Sequence, residues 1–149
     1  MVEYKIGNLL DAPVNYICHQ VNCQGRMGSG IAKQIRERWP RVYDEYCKWY
    51  DSCDAMLGHI QTIHIDNGPS VINMAAQLFY GYDGRRYTSY DAFWSCLGEI
   101  KAIAPKGSKI GFPYKIGCGL GGANWQVIST MIIEVLGKDY DVYIYSLEE

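Results

Sequence analysis

Two glycine-rich segments constrain the fold of this chain more than any other feature of its sequence. The first covers residues 22–30 (NCQGRMGSG) and the second covers residues 117–122 (GCGLGG). Each follows a strand-like apolar stretch and leads into an amphipathic helix pattern. Glycine lets the backbone approach a ligand closely, and a helix N-terminus presents free N–H groups to an anion. Two such segments facing each other would enclose a diphosphate, which points to a nucleotide-like ligand.

Composition favours a single globular domain over residues 1–149 with a small-molecule ligand. Hydrophobic residues make up 48% of the 149 positions, which is enough for a core. The net charge of −2 argues against a polybasic surface, so we expect no nucleic-acid partner. No apolar run approaches the roughly 20 residues of a membrane helix, and residues 1–5 lack a signal-peptide pattern. We therefore expect a cytoplasmic protein without membrane contact.

Cysteine spacing gives no sign of a metal site or a disulfide framework. The six cysteines form no C-x-x-C pair, and none pairs with a histidine at zinc-finger spacing. Several lie inside apolar patterns, where a reduced cysteine behaves as a small hydrophobic residue. We predict reduced thiols, no metal and no cofactor.

Apolar periodicity predicts alternating strands and helices. We predict strands over residues 2–6, 16–21, 59–65, 70–74, 109–112 and 141–146. We predict helices over residues 28–38 and 41–52, from a cap at Thr88 to about 104, and from a cap at Asn124 to about 136. Strands separated by helices indicate a three-layer α/β/α domain with a mostly parallel sheet. The short connection 65–70 implies one antiparallel pair, so we expect a mixed sheet.

Two common nucleotide-binding motifs do not account for the glycine segments. A P-loop requires G-x-x-x-x-G-K-[ST], and no glycine here is followed by Lys-Ser or Lys-Thr. The pattern G-x-G-x-x-G matches Gly117, Gly119 and Gly122. However, only one strand–helix–strand unit remains around that match, which is too little for a dinucleotide fold that begins there.

The motifs resemble those of the macro domain, an ADP-ribose-binding family. The resemblance rests on residues 7–10 (GNLL), 19–32 (HQVNCQGRMGSGIA) and 116–125 (IGCGLGGANW), in that order, and it spans residues 4–147. Within the family, the chain is similar to the branch of ADP-ribose 1″-phosphate phosphatases and terminal ADP-ribose glycohydrolases. The resemblance implies a three-layer α/β/α fold with a mixed, mostly parallel six-stranded sheet.

The resemblance also implies a set of ligand-binding residues. Asn8 stands where the family usually has an aspartate that accepts a hydrogen bond from the adenine amino group, and the amide oxygen can still accept that bond. Asn22 matches an asparagine that contacts the distal ribose, although it would equally serve to cap a turn. The remaining implied contacts come from the adenine side and the two diphosphate loops: Leu9, Gly28, Ser29, Gly30, Gly117, Cys118, Gly119, Leu120, Gly121 and Tyr145. Tyr145 would equally be a core residue.

Catalytic residues are harder to carry over from the family. Glycohydrolase members use a lysine nucleophile and an aspartate, and here those positions hold Gln77 (or Ala76) and Gly121. Neither glutamine nor alanine can form a covalent sugar adduct. The phosphatase members have a histidine in an H-x-x-N-C-x-G setting, which His19 matches. Because histidine titrates near neutral pH, we predict His19 as general acid/base; the alternative is a structural histidine.

Three functions follow from these residues. The first is hydrolysis of ADP-ribose 1″-phosphate to ADP-ribose and phosphate, with His19 as the acid/base. The second is binding of ADP-ribose, or of a signalling nucleotide derived from it, without turnover. The third is a residual ADP-ribosyl hydrolase activity. In the loop 79–87, Arg85 or Arg86 would hold a terminal phosphate or simply be solvated, and Asp83 would be an acid/base or a turn residue.

Overall fold

The computed structural model describes residues 1–53 and 55–148, and within them the chain forms six strands and four α-helices. In chain order they are β1 (Val2–Ile6), β2 (Tyr16–Asn22), α1 (Gly30–Arg38), α2 (Pro40–Ser52), β3 (Ile60–His64), β4 (Ser70–Gln77), α3 (Tyr90–Ile103), β5 (Lys109–Pro113), α4 (Trp125–Leu136) and β6 (Asp141–Ser146). Every predicted element is present. The largest shift in a boundary is at β4, which continues three residues beyond the predicted end.

The strands form one sheet in the order β1-β6-β5-β2-β4-β3. All neighbouring strands run parallel except β3 and β4, which are antiparallel and are joined by the predicted short connection. The predicted mixed, mostly parallel sheet is therefore confirmed. β2 lies between β4 and β5, so both of its edges are paired, and its residues contribute to an apolar core on each face of the sheet.

Side chains of the sheet alternate between two separate apolar cores. On β2, Cys18 belongs to the core that packs beneath α3 and α4, whereas Ile17 and Val21 belong to the core beneath α1 and α2. β4 alternates in the same way, with Ile72 in the first core and Val71 in the second. Helices thus cover both faces of the sheet, and the predicted three-layer α/β/α architecture is confirmed.

The N-termini of α3 and α4 are capped by side chains. The Asn124 side-chain oxygen accepts hydrogen bonds from the Gln126 and Val127 amides at 2.9 and 3.3 Å, as predicted for α4. The predicted cap of α3 at Thr88 is wrong, because the Ser89 hydroxyl accepts the Ala92 amide at 3.2 Å instead. Thr and Ser adjoin here and both favour the cap position, so the sequence pattern could not separate them.

Within residues 1–53 and 55–148, no helix has the length and apolarity needed to cross a bilayer. All six cysteines are free thiols in the structure. Burial raises the pKa of the Cys23 thiol to about 11, with the nearby Cys53 adding to that rise. The described residues contain no group of three or more His, Cys, Asp or Glu side chains arranged to hold a metal ion.

The Asn124 cap provides a test of the fold. We expect Asn124→Ala to lower the free energy of unfolding by about 1 kcal/mol, because two amides at the start of α4 lose their acceptor. Asn124→Ser should retain most of the stability, since serine also accepts at this position. Urea unfolding followed by circular dichroism measures both. Equal stability of the alanine variant and the wild type would show that the cap is not needed.

Candidate functional site

A cleft opens at the carboxyl ends of β2, β4 and β5, where ligands bind in open α/β sheets. It has two regions, of about 470 and 540 Å³, which share the lining residues Ile31, Pro113, Tyr114 and Lys115. We call them the glycine region and the Asn8 region. The two regions therefore adjoin along these residues, and each is large enough for a portion of a nucleotide-sized ligand.

The first glycine segment forms loop 1 (residues 23–29), which lies on one side of the glycine region. Gly28, Ser29 and Gly30 all line the cleft, as predicted. Gly30 is the first residue of α1 and has φ +58°, a conformation that favours glycine. The N-terminus of α1 therefore opens toward the cleft and places its unpaired backbone N–H groups there.

Asn22 lines the cleft and also closes loop 1 through its side chain. Its amide oxygen accepts from the Gln24 amide at 2.9 Å, and its amide nitrogen donates to the Arg26 carbonyl at 2.9 Å. The buried Tyr46 hydroxyl lies 2.5 Å from the Asn22 carbonyl and accepts from the Gly25 amide at 3.2 Å. The Tyr46 hydroxyl is a support for loop 1 that the sequence pattern did not reveal.

The second glycine segment forms loop 2 (residues 117–122), on the opposite side of the glycine region. Gly117, Gly119, Leu120 and Gly121 line the cleft. Cys118 does not: its thiol packs against the first core and lies 3.4 Å from the Ile116 carbonyl, so any contact of this predicted residue with a ligand would come from the backbone.

Loop 2 is packed tightly at Gly121. A Cβ atom there would come within 2.5 Å of both the Gly117 carbonyl oxygen and the Thr88 hydroxyl oxygen. The backbone amides of Tyr87 and Thr88 also donate to the Gly121 carbonyl, at 2.8 and 2.9 Å. Only glycine fits at this position, because the loop folds directly onto the segment that precedes α3.

The Asn8 region brings together the three residues predicted at the adenine end. Asn8, Leu9 and Tyr145 all line it, and so does Leu147. The Asn8 side-chain oxygen accepts from the Leu10 amide at 3.0 Å, which holds the short 3-10 turn Leu9–Asp11. A carbonyl oxygen has two lone pairs, so this bond leaves Asn8 able to accept a second one from a ligand.

His19, the predicted acid/base, lies outside the cleft. It has no exposed surface and is not among the residues that line either region. It faces the same side of the sheet as Ile17 and Val21, so its ring is packed in the core beneath α1 and α2. A side chain with no accessible surface cannot contact a bound substrate, and this placement therefore argues against the predicted catalytic role.

A chain of hydrogen bonds fixes the protonation of His19. Gln61 donates its amide to the Glu45 carbonyl at 2.8 Å, so its oxygen accepts from the Asn73 amide nitrogen at 2.9 Å. The Asn73 oxygen is then left to accept from His19 Nε2. Burial lowers the pKa of His19 to about 4, with the Asn73 hydrogen bond acting weakly in the opposite direction. His19 is thus neutral at pH 7 and carries its proton on Nε2.

Sequence reasoning missed the cationic residues of the cleft. Lys115 lines both regions and has φ +60°, which is rare for a residue with a side chain. Its ammonium lies 5.4 Å from the centroid of the Tyr114 ring. Arg26, within loop 1, also lines the glycine region. The available signal was that each cation lies next to or inside a glycine segment.

Loop 3 (residues 78–87) contributes aromatic rather than charged groups. Tyr80, Gly81 and Tyr82 line the glycine region, and the Tyr82 hydroxyl lies 3.0 Å from the Ser29 hydroxyl. The two arginines that were candidates for a terminal phosphate do not line the cleft. Arg85 pairs with Asp83 at 3.4 Å, and the Arg86 guanidinium lies 4.5 Å from the Tyr90 ring centroid.

Asp83 is likewise held away from the role of an acid/base. Its carboxylate accepts a hydrogen bond from the Tyr87 hydroxyl at 2.8 Å, which holds the pKa of Asp83 below its usual value. Asp83 is not among the residues lining the cleft. The lining of the glycine region, within the described residues, contains neither a carboxylate nor a histidine; its polar floor is formed by the amides of Gln20 and Gln77.

Comparison with known proteins agrees with this geometry. The family model described as "Macro domain" matches residues 18–132, which include most of the cleft. The chain belongs to the macro domain family. This macro domain aligns in structure along 97% of its length with a protein of unknown function from Bacteroides thetaiotaomicron, with a TM-score of 0.85, 29% identity and 97% of that chain covered.

Two curated relatives of this macro domain have named activities. A DNA ADP-ribosyl glycohydrolase of Thermus aquaticus is 26% identical over 152 residues, which is 97% of this chain but 41% of the relative. An ADP-ribose 1″-phosphate phosphatase of Ajellomyces capsulatus is 38% identical over 60 residues, which is 38% of this chain and 21% of the relative. The macro domain thus spans less than half the length of the glycohydrolase that it matches.

The buried His19 predicts a pH-dependent stability. His19 has a pKa of 6.5 in the unfolded chain and of about 4 in the folded chain. Its contribution to the free energy of unfolding is therefore fully present above pH 6.5. That contribution, up to about 3 kcal/mol, should be lost as the pH falls from 6.5 through 4. Urea unfolding of wild type and His19→Gln across this range isolates it. Parallel loss of stability in the two proteins would contradict the buried, neutral state.

Gly121 predicts a steric effect confined to one position of loop 2. We expect Gly121→Ala to lower the free energy of unfolding by about 1–3 kcal/mol, because its methyl group would overlap the Gly117 carbonyl and the Thr88 hydroxyl. Gly119→Ala is the matched control, since a Cβ there meets nothing within 4 Å. Thermal unfolding of both variants should separate them. Similar midpoints would mean that loop 2 moves freely to accept a side chain.

Proposed function

We propose that this macro domain binds ADP-ribose in the cleft, with adenine in the Asn8 region and the diphosphate between loops 1 and 2. The observation that carries the proposal is that the two regions adjoin at shared lining residues, which puts Asn8 and the glycine loops beside one another along one edge of the sheet. ADP-ribose is an elongated ligand with an adenosine at one end, a diphosphate in the middle and a ribose at the other end. The cleft offers a matching group at each place.

The charge of the ligand is met in the middle of the cleft. Loop 1 leads into the N-terminus of α1, whose free N–H groups and helix dipole favour an anion. Lys115 lies where the two regions meet, so its ammonium supplies a full positive charge next to the diphosphate position. The distal ribose would then lie over Asn22 and Gln77, whose amides suit a neutral, hydroxylated group.

The lining supports binding without turnover better than it supports hydrolysis. By the resemblance, Gln77 (or Ala76) and Gly121 stand at the positions where the glycohydrolase members have a lysine and an aspartate, and neither glutamine nor alanine is a nucleophile. His19 is buried, neutral and outside the cleft. Among the described residues, the lining of the glycine region therefore offers no carboxylate or histidine to serve as the acid/base of a hydrolytic step. Binding without turnover is the second of the three functions that the sequence suggested.

Hydrolysis of ADP-ribose 1″-phosphate is the second candidate. It is favoured by the 38% identity to the fungal phosphatase over 60 residues. The phosphatase activity is that of the relative. In this chain the reaction would have to use Lys115, Arg26 or a tyrosine of the cleft in place of His19. The two candidates share the same adenine and diphosphate contacts, so they differ only in whether product forms.

One experiment separates these functions. We expect isothermal titration calorimetry to show binding of ADP-ribose, and incubation with ADP-ribose 1″-phosphate to release no phosphate above the buffer blank. Binding together with phosphate release would replace the binding function by the phosphatase. Absence of heat with ADP-ribose, in protein shown to be folded by circular dichroism, would overturn the proposal as a whole.

Gly28 gives a sharper test of the site. A Cβ at Gly28 meets nothing within 4 Å, so Gly28→Ala should leave stability unchanged while its methyl group intrudes on the diphosphate position. We expect about a tenfold weaker affinity for ADP-ribose. Gly98→Ala is the matched control, because Gly98 also has open space around it but lies in α3 away from the cleft. Equal affinity of Gly28→Ala and wild type would place the ligand elsewhere.

A further inference from the structure

We propose that Gln20 and Thr88 are positioning residues, which tie loop 2 and loop 3 into a single wall of the cleft. Gln20 lies near the end of the central strand β2, and its amide nitrogen donates to the Gln77 side-chain oxygen and to the Thr88 hydroxyl, each at 2.7 Å. Gln77 and Thr88 directly flank loop 3, and they pair with each other as an isolated β-bridge. The Gln20 side-chain amide thus holds the residues at both ends of loop 3.

The same chain of hydrogen bonds continues to loop 2. The Thr88 hydroxyl donates to the Gly117 carbonyl at 2.8 Å, and Gly117 also accepts from the Ala123 amide at 3.0 Å. Thr88 is only 2% exposed, so water does not compete for this hydroxyl. The chain therefore runs from loop 3, across the floor of the cleft, to the first residue of loop 2.

The direction of every donor in this chain is fixed by its two ends. At one end Gln77 donates its amide nitrogen to the Phe79 carbonyl at 2.8 Å, so the Gln77 oxygen must accept from Gln20. At the other end the Thr88 hydroxyl donates its proton to the Gly117 carbonyl, so its oxygen accepts from Gln20. Both acceptors face the amide nitrogen of Gln20, and its two protons satisfy them. Only one orientation of each group is allowed.

The orientation of Gln20 has a consequence at Gly117. The Gln20 side-chain oxygen is buried and accepts no hydrogen bond within the described residues, and a Cβ at Gly117 would come within 2.9 Å of it. The Gln20 side-chain oxygen therefore lies close to the Gly117 backbone. Removing the amide would take away both hydrogen bonds at the base of loop 3, and the Thr88 hydroxyl, which holds the first residue of loop 2, would lose its donor.

This positioning role rests on the proposed function, because the wall that Gln20 and Thr88 hold is the one assigned to the diphosphate and distal ribose. The positioning role goes beyond the proposed binding function because it concerns residues that affect the ligand through the loops. Thr88 does not line the cleft and has no direct contact to offer a ligand. Its effect on affinity must therefore pass through Gly117 and Gln20.

The test uses Thr88→Val, which keeps the shape of the side chain and removes the hydroxyl, and Thr88→Ser, which keeps the hydroxyl. We expect about tenfold weaker binding of ADP-ribose by Thr88→Val and recovery of most of the affinity in Thr88→Ser. Ser89→Ala is the matched control, because it weakens the adjacent cap of α3 without touching loop 2. It should lose stability but keep the wild-type affinity.

Two further measurements make the outcome decisive. Amide hydrogen exchange of loop 2 and Ala123 should accelerate in Thr88→Val but not in Ser89→Ala. In a double-mutant cycle, Gln20→Met and Thr88→Val together should weaken binding no more than either alone. Additive losses, or wild-type affinity and exchange in Thr88→Val, would overturn the positioning role. If the wild type fails to bind ADP-ribose, the proposed function fails, and exchange alone still decides whether the chain holds loop 2.

Discussion

The structure depends on how the buried central strand β2 satisfies two polar side chains, one on each face of the sheet. His19 lies in the core beneath α1 and α2, and Gln20 reaches the opposite face at the floor of the cleft. An unpaired buried polar group costs roughly 1–3 kcal/mol, so partners for both side chains stabilise the fold, although His19 Nδ1 and Gln20 Oε1 have none within the described residues. His19 does so through Asn73 and Gln61 to the Glu45 carbonyl, and Gln20 through Gln77 and Thr88 to two further carbonyls.

The two chains of hydrogen bonds have different roles: the His19 chain stabilises the core, and the Gln20 chain supports the site. The His19 chain is enclosed and connects β2, β4 and β3 to helix α2. The Gln20 chain lies at the carboxyl end of the sheet, where parallel strands deliver their loops to one edge. Loop 1 has its own supports in Tyr46 and Asn22, and it also contacts loop 3, where the Gln24 side-chain amide donates to the Leu78 carbonyl at 3.0 Å.

Much of the fold was predictable because its signals are local and periodic. α4 and β6 were predicted with their observed bounds, since Asn124 marks a helix start and short apolar runs bounded by turn residues mark strands. The predictions failed where two residues offer the same chemistry. Thr88 and Ser89 are equally good caps by type, and only the demand of Gln20 and Gly117 for the Thr88 hydroxyl decides which one caps α3.

The sequence by itself determined the α/β alternation, the mixed sheet and the two glycine loops, because helix and strand periods and glycine spacing are properties of neighbouring residues. Only the tertiary structure decided that His19 faces the core while Gln20, the next residue, faces the cleft, since successive strand residues point to opposite faces and the motif does not say which face is which. It also brought Lys115 to the junction of the two regions and Thr88 beneath loop 2, because those contacts join residues distant in the chain.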